Sequence, residues 1–214
     1  MTRVVKASEE RRAELINVAQ KLFFEKGYND TTVRDIIKAV NGSQGMFYHH
    51  FKSKDEIYHA VMEQFVSNYI CELRTIFYST EISGIKKLNK IIDKFQDAYN
   101  SSLSLVKHSN NPENIHFTLE LKGNILDGIV DPIDNLINEF INEGIIHSED
   151  IITKNTKLTA LFLSHGLFGL INGYKSNLQS VSTVNETKRN EMLTFIARTL
   201  GQDDDFFKRK WYLI

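Results

Sequence analysis

The sequence is poor in several things, and each shortage excludes something. Its 214 residues hold one cysteine, Cys71, so no internal disulfide can form and a reducing cytoplasm is the expected compartment. There are two prolines, and no Pro- or Gly-rich linker separates one half of the chain from the other. Net charge is only −1, so no global basic field announces a polyanionic partner. Ten Lys and Arg face eight Asp and Glu through Ala60, a local +2, and the remainder carries sixteen against nineteen. Long apolar runs are missing as well. The longest, about Leu158 to Ile171, is shorter than the roughly 20 residues a bilayer needs and contains His165, so no membrane span is expected. Met1 to Glu10 holds charges and no apolar run, which gives no signal-peptide pattern. Strand alternation, repeats and low-complexity segments are absent. What is present is helical periodicity, which predicts an all-α protein.

The densest information lies in Thr31 to Lys54, TTVRDIIKAVNGSQGMFYHHFKSK. Thr32 followed three residues later by Asp35 is a capping box, so a helix opens at Val33. Val33, Ile36, Ile37 and Val40 then make one apolar face and leave Arg34, Asp35 and Lys38 outward. Asn41-Gly42 stops this helix after about two turns, because both residues accept the left-handed backbone, and Ser43 caps the next. That second helix, Gln44 to His50, turns Phe47 and Phe51 inward and offers Gln44, Gly45, Met46, Tyr48 and His49. Amides, hydroxyls and flat rings on one short helix suit base edges and phosphates in a major groove. Ser53 caps a third helix with Glu56 at its third position, and Lys54 sits where a phosphate would meet both an ammonium and a helix start. The pattern is a helix-turn-helix.

These residues resemble the DNA-binding domain of TetR-family (TetR/AcrR-like) transcriptional regulators. The resemblance is carried by Ala19, Phe23, Gly27, Tyr28, Thr31-Thr32, Ile36, Ser43, Gly45, Phe47-Tyr48, Phe51, Lys54 and Ile57, and GMFYHHFKSK is its most specific run. It covers about the first quarter of the chain. One departure stands out: where members carry a small residue, a glycine and an aliphatic residue before the serine, this chain has Val40, Asn41 and Gly42. The resemblance implies base contacts from Arg34, Gln44 and Met46, with Gln44 able to pair bidentately with adenine. It implies phosphate contacts from Thr32, Ser43, Tyr48, His49 and Lys54, with Gly45 in the same interface.

The remaining chain reads as helices throughout. One starts near Ser8 and ends at Gly27; another runs from Ser53 to about Tyr78, long enough to leave a small domain and enter a larger one. Ser83 to Val106 follows, then a helix opened by Pro112, then a fresh one after Asp131-Pro132 that ends at Gly144. The expected division is a DNA-binding domain over 1–53 and a helical ligand-binding and dimerisation domain over 54–214. Phe95, Tyr99, His116, Phe117, Leu121 and Phe140 are candidates to line a pocket for a small apolar or amphipathic effector. A helix apolar on most faces, about Ile151 to Lys175, and another over Asn185 to Leu200 would make a four-helix bundle with a second copy, as the family usually dimerises. The interface candidates are Leu163, Leu167, Leu170, Met192, Phe195 and Ile196. Glycines 166, 169 and 173 interrupt the first of these helices, and close approach of another helix would offset their cost. After Gly201, the stretch around Phe206-Phe207 reads equally as a docked helix or a frayed end.

Catalytic groups do not converge. His49, His50 and His59 lack the partners and spacing of a metal site, Ser164 and His165 point apart on a helix, and no phosphate-cradling glycine loop follows a strand. The sequence is therefore expected to be no enzyme, to hold no metal or cofactor, and to bind double-stranded DNA as a ligand-responsive homodimeric repressor on a palindromic operator. The alternative is a helical interaction protein whose helix-turn-helix is only structural.

Overall fold

A computed structural model describes residues 8–106, 112–172 and 185–211, with side chains described except at 98–99, 101–122, 124, 171–172 and 211. The described helices are α1 (Ser8–Lys26), α2 (Val33–Ala39), α3 (Gln44–His50), α4 (Lys54–Phe77), α5 (Gly84–Val106), α6 (Pro112–Asn142), α7 (Thr156–Asn172), α8 (Glu186–Thr199) and α9 (Phe206–Trp211). No strand occurs among the described residues, so the fold is all-α. Two compact units form, one of residues 1–67 with 101–121 and the other of 68–100 with 122–214, and α4 contributes residues to both.

In the first unit, Leu15, Ile16, Ala19 and Phe23 of α1 bury one face against Ile36, Phe47, Phe51 and Ile57, all essentially without exposure. Each short helix is set by its ends. Thr32 Oγ1 accepts from the Asp35 amide at 3.1 Å while Asp35 Oδ2 accepts from the Thr32 amide at 2.9 Å, the reciprocal box the sequence predicts. Asn41 takes the left-handed conformation at φ 50. Its amide donates to Lys38 O at 3.1 Å and the Gly42 amide to Ile37 O at 2.9 Å, which satisfies two carbonyls at the end of α2. Ser43 Oγ then accepts from the Met46 amide at 3.3 Å to start α3.

The second unit is built on a core of Tyr69, Leu73, Phe77, Leu88, Ile92, Ile137, Phe140, Leu163, Met192, Ile196 and Phe207. Asp131-Pro132 does not divide a helix here: α6 runs through it with Pro132 inside. Proline in a helix interior costs about 3 kcal/mol. Ile133, Leu136, Ile137 and Phe140 continue the stripe begun by Ile125 and Ile129 into the core, and burying that many large side chains outweighs the local penalty. The stretch after Gly201 is docked, with Phe207 2 % exposed and its ring 5.7 Å from that of Phe140. Asp203 and Arg209 pair through both guanidinium nitrogens, at 2.8 and 2.7 Å.

The pairing of α7 with α8 shows where the expected interface residues lie within the chain. Leu163, Met192 and Ile196 are buried in their own chain's core, which leaves them nothing to offer a second copy. Leu167 and Phe195 are half-buried against the same core, and Leu170 is half-buried beside Phe195 and Thr194. The Phe195 ring lies where a side chain on Gly166 would stand, 2.3 Å from an ideal Cβ, so the close approach expected at this glycine is made by α8 of the same chain. The outward face of α7 is instead Leu158, Leu161 and Phe162, at 42, 40 and 52 % exposure, with His165 and Gly169 continuing it. Because α7 is apolar nearly all round, sequence periodicity could not tell its two apolar faces apart.

Candidate nucleic-acid interface and apolar cavity

Within the first unit, α3 turns Phe47 into the core and leaves Gln44, Gly45, Tyr48 and His49 exposed. Tyr48 is 54 % exposed and stands edge-on to Phe47, ring centroids 5.3 Å apart, which holds an exposed phenol in a defined place. Thr32 and Arg34 are exposed at the start of α2. The two capping hydroxyls differ in what remains to them. Thr32 donates to Asp35 Oδ2 at 2.7 Å and accepts from the Asp35 amide, whereas among the described residues Ser43 only accepts, which leaves its hydrogen uncommitted. The bonds from Thr32 hold the Asp35 carboxyl below its ordinary range. Met46 is half-buried, its methyl folded back over Gly42.

Lys54 is placed differently from the expectation. Its ammonium donates to Tyr28 O at 3.0 Å and Thr31 O at 3.1 Å and lies 4.1 Å from the centre of the Tyr28 ring. Tyr28 in turn donates from its hydroxyl to Asp55, and the fully buried Thr31 donates to Gly27 O at 2.8 Å. Desolvation draws the Lys54 ammonium below its ordinary range, opposed by Asp55 and Asp30. An ammonium held by two carbonyls and an aromatic ring is a clasp that fastens the α1–α2 turn to the start of α4. We expect Lys54→Met, which keeps the stem and orphans two carbonyls, to cost about 1–2 kcal/mol in urea unfolding. The slope of log DNA affinity against log salt should stay the same, whereas loss of a phosphate contact would flatten it by about 0.9.

Sequence reading missed this clasp because its partners lie 23 and 26 residues away. It also missed Arg12, whose guanidinium sits 5.0 Å over the Phe51 ring beside this helix end. His50 is drawn below the ordinary imidazole range, first by burial and then by His49, Arg12 and Arg11, so cationic groups gather on this side of the unit. Among the described residues, no three His, Cys, Asp or Glu converge as they would around a metal ion.

The second unit encloses a cavity of about 110 Å³ walled by α4 to α8, including Tyr69, Leu88, Phe95, Ile137, Phe140, Leu163 and Met192. Two of the predicted pocket residues, Phe95 and Phe140, line it. The side chains of Tyr99, His116, Phe117 and Leu121 lie outside the described residues. Polar groups on the wall are few: Ser164, whose hydroxyl donates to Leu161 O at 2.9 Å, and the Tyr69 phenol, whose ionisation burial pushes far up. Among the described lining residues there is no carboxylate, lysine or arginine.

With this geometry in hand, the likeness to known proteins is specific. Residues 15–61, which span α1 to the first turns of α4, match the model of bacterial regulatory proteins of the tetR family. The HTH-type transcriptional repressor KstR2 of Mycobacterium tuberculosis is 31 % identical over 108 residues, half of each chain. KstR2 of Rhodococcus jostii is 33 % identical over 96 residues, 45 % of this chain and 47 % of that one. The chain thus spans about half the length of the curated relatives it matches. A solved transcriptional regulator from Cytophaga hutchinsonii superimposes with a TM-score of 0.65 over 91 % of this chain and 95 % of its own, at 21 % identity. The structure of a SmeT–triclosan complex does so with a TM-score of 0.56 over 86 and 90 %, at 15 % identity. Residues 15–61 thus match the N-terminal domain of tetR-family regulatory proteins, and the all-helical fold is like that of the solved transcriptional regulator from Cytophaga hutchinsonii.

Proposed function

We propose that the protein is a transcriptional repressor of the cytoplasm that binds a palindromic operator as a homodimer and responds to a small uncharged effector. The observation that carries the DNA reading is the face of α3. A seven-residue helix pinned by caps and by Phe47 exposes an amide, a bare glycine, a phenol and an imidazole together. One such helix spans too few base pairs for useful specificity, and the exposed Leu158, Leu161 and Phe162 stripe supplies a surface on which a second copy can dock. SmeT, of similar fold, has been solved with triclosan, a small molecule; in this chain the apolar cavity is the place to look for an effector.

The test is enrichment of fragmented genomic DNA by the purified protein, with Gln44→Ala in parallel. A palindromic motif should emerge. The variant should lose discrimination at one base position per half-site by about 1–3 kcal/mol, the worth of a bidentate side-chain contact. Enrichment without any motif, at a salt concentration where the protein is folded and dimeric, would leave the helix-turn-helix with a structural role only.

A further inference from the structure

Gly42 immediately precedes the Ser43 cap of α3, and its backbone does not require glycine. Among the described residues the glycines with positive φ are 27, 144 and 201. What fills the missing side chain's place is Met46, four residues on. A Cβ built on Gly42 would lie 2.0 Å from Met46 Cε, with Val40 Cγ2 at 3.2 Å and Ile37 O at 3.7 Å. The methionine methyl therefore closes the α2–α3 turn as a side chain at position 42 would. An unbranched thioether with three rotatable bonds suits this, since it can reach back along its own helix into an irregular gap.

We propose that Gly42 and Met46 act as one unit that sets what α3 presents to DNA: the glycine lets Met46 fold down onto the turn, and base reading on this helix is left to Gln44. This rests on the reading of α3 as the DNA-reading helix. Two further observations support it. Met46 is the half-buried member of an otherwise exposed run, Ser43 to Gly45 before it and Tyr48 to His49 after the core residue Phe47. The space beside it on the exposed face is open, for a Cβ on Gly45 would meet nothing within 4 Å. A methyl evicted from the turn has somewhere to go, and that place is the groove-facing side, where an apolar group favours the thymine methyl.

A cycle of Gly42→Ala, Met46→Ala and the double variant tests this in two independent readouts. In DNA selection, Met46→Ala should return the wild-type motif. Gly42→Ala, which forces the methionine outward, should raise thymine at the position it covers at least about threefold over wild type, and the double variant should revert to the wild-type motif. In urea unfolding, Met46→Ala should destabilise by emptying the turn. The new methyl at 42 refills that space, so the unfolding constant of the double variant should fall below the product of the single effects by at least about threefold. A changed motif for Met46→Ala alone would make Met46 a direct reader and overturn the proposal, as would unfolding effects that simply multiply. If the wild-type protein enriches no motif, the DNA reading of α3 fails in that arm alone, because the unfolding cycle needs no DNA.

Discussion

Phe162→Arg is expected to turn the proposed homodimer into a monomer and to lower affinity for its operator at least about 100-fold. The side chain is 52 % exposed within its own chain, so arginine there costs the protomer little; it is also a good helix former. Its neighbours at helical spacing, Leu158, Leu161, His165 and Gly169, make a continuous outward stripe on α7. Pairing that stripe with its symmetry mate in a two-fold interface would place Phe162 against the partner's α7, where two arginines would face each other without counter-charge. Specific operator affinity draws on two half-sites held at a fixed spacing. A monomer keeps one recognition helix and loses the entropic advantage of the linked pair, a difference of two or more orders of magnitude. Sedimentation equilibrium and anisotropy titration of a labelled operator measure the two effects, and far-ultraviolet circular dichroism checks that the protomer keeps its helices. Leu158→Arg should act in the same direction. A dimer that survives both substitutions would place the interface on another surface.

How much of this was legible in the sequence divides along range of interaction. The ends of α1, α2, α3 and α4 were readable because their signals lie within four residues: Gly27, the Thr32–Asp35 box, Asn41, Ser43 and the Ser53 hydroxyl that accepts from the Glu56 amide. Three features were not. Pro132 signals a break locally, but burial along α6 outweighs it. The two apolar faces of α7 are alike in composition and differ only in what packs on them: the core with Met192 and Ile196 on one side, while Leu158, Leu161 and Phe162 on the other are exposed. Lys54 carries the charge of a phosphate ligand and sits at the helix start, yet its partners Tyr28 and Thr31 are brought to it only by the folded α1–α2 turn. The exposed residues of α3 could be named from sequence because the two buried aromatics, Phe47 and Phe51, fix the helix's rotation. The withdrawn position of Met46 could not, since it depends on what Gly42 lacks.

Toluene is expected to bind the cavity of the second unit and benzoate, of nearly the same outline, to bind at least about 100-fold more weakly at pH 7. The cavity's volume, about 110 Å³, is that of a site for one small ring or a short chain. Its described wall offers hydrocarbon, the Ser164 hydroxyl already spent on Leu161 O, and the Tyr69 phenol. A carboxylate moved there would surrender its hydration for at most a phenol hydrogen bond, a loss of several kcal/mol, and each 1.4 kcal/mol is tenfold in affinity. Only the protonated acid should therefore enter. The sign follows: benzoate affinity should rise about tenfold for each unit the pH falls while the acid remains mostly ionised, and toluene affinity should not change. Calorimetry, or ligand-observed proton resonance across pH 5 to 8, reads this directly and without DNA. Equal affinity for the two probes at pH 7 would require a cation at the cavity wall and would refute an uncharged effector class. If toluene binds, its effect on the operator is bounded by the difference in its affinity for the DNA-bound and free states, so a molecule that fills the cavity equally well in both will occupy the protein and regulate nothing.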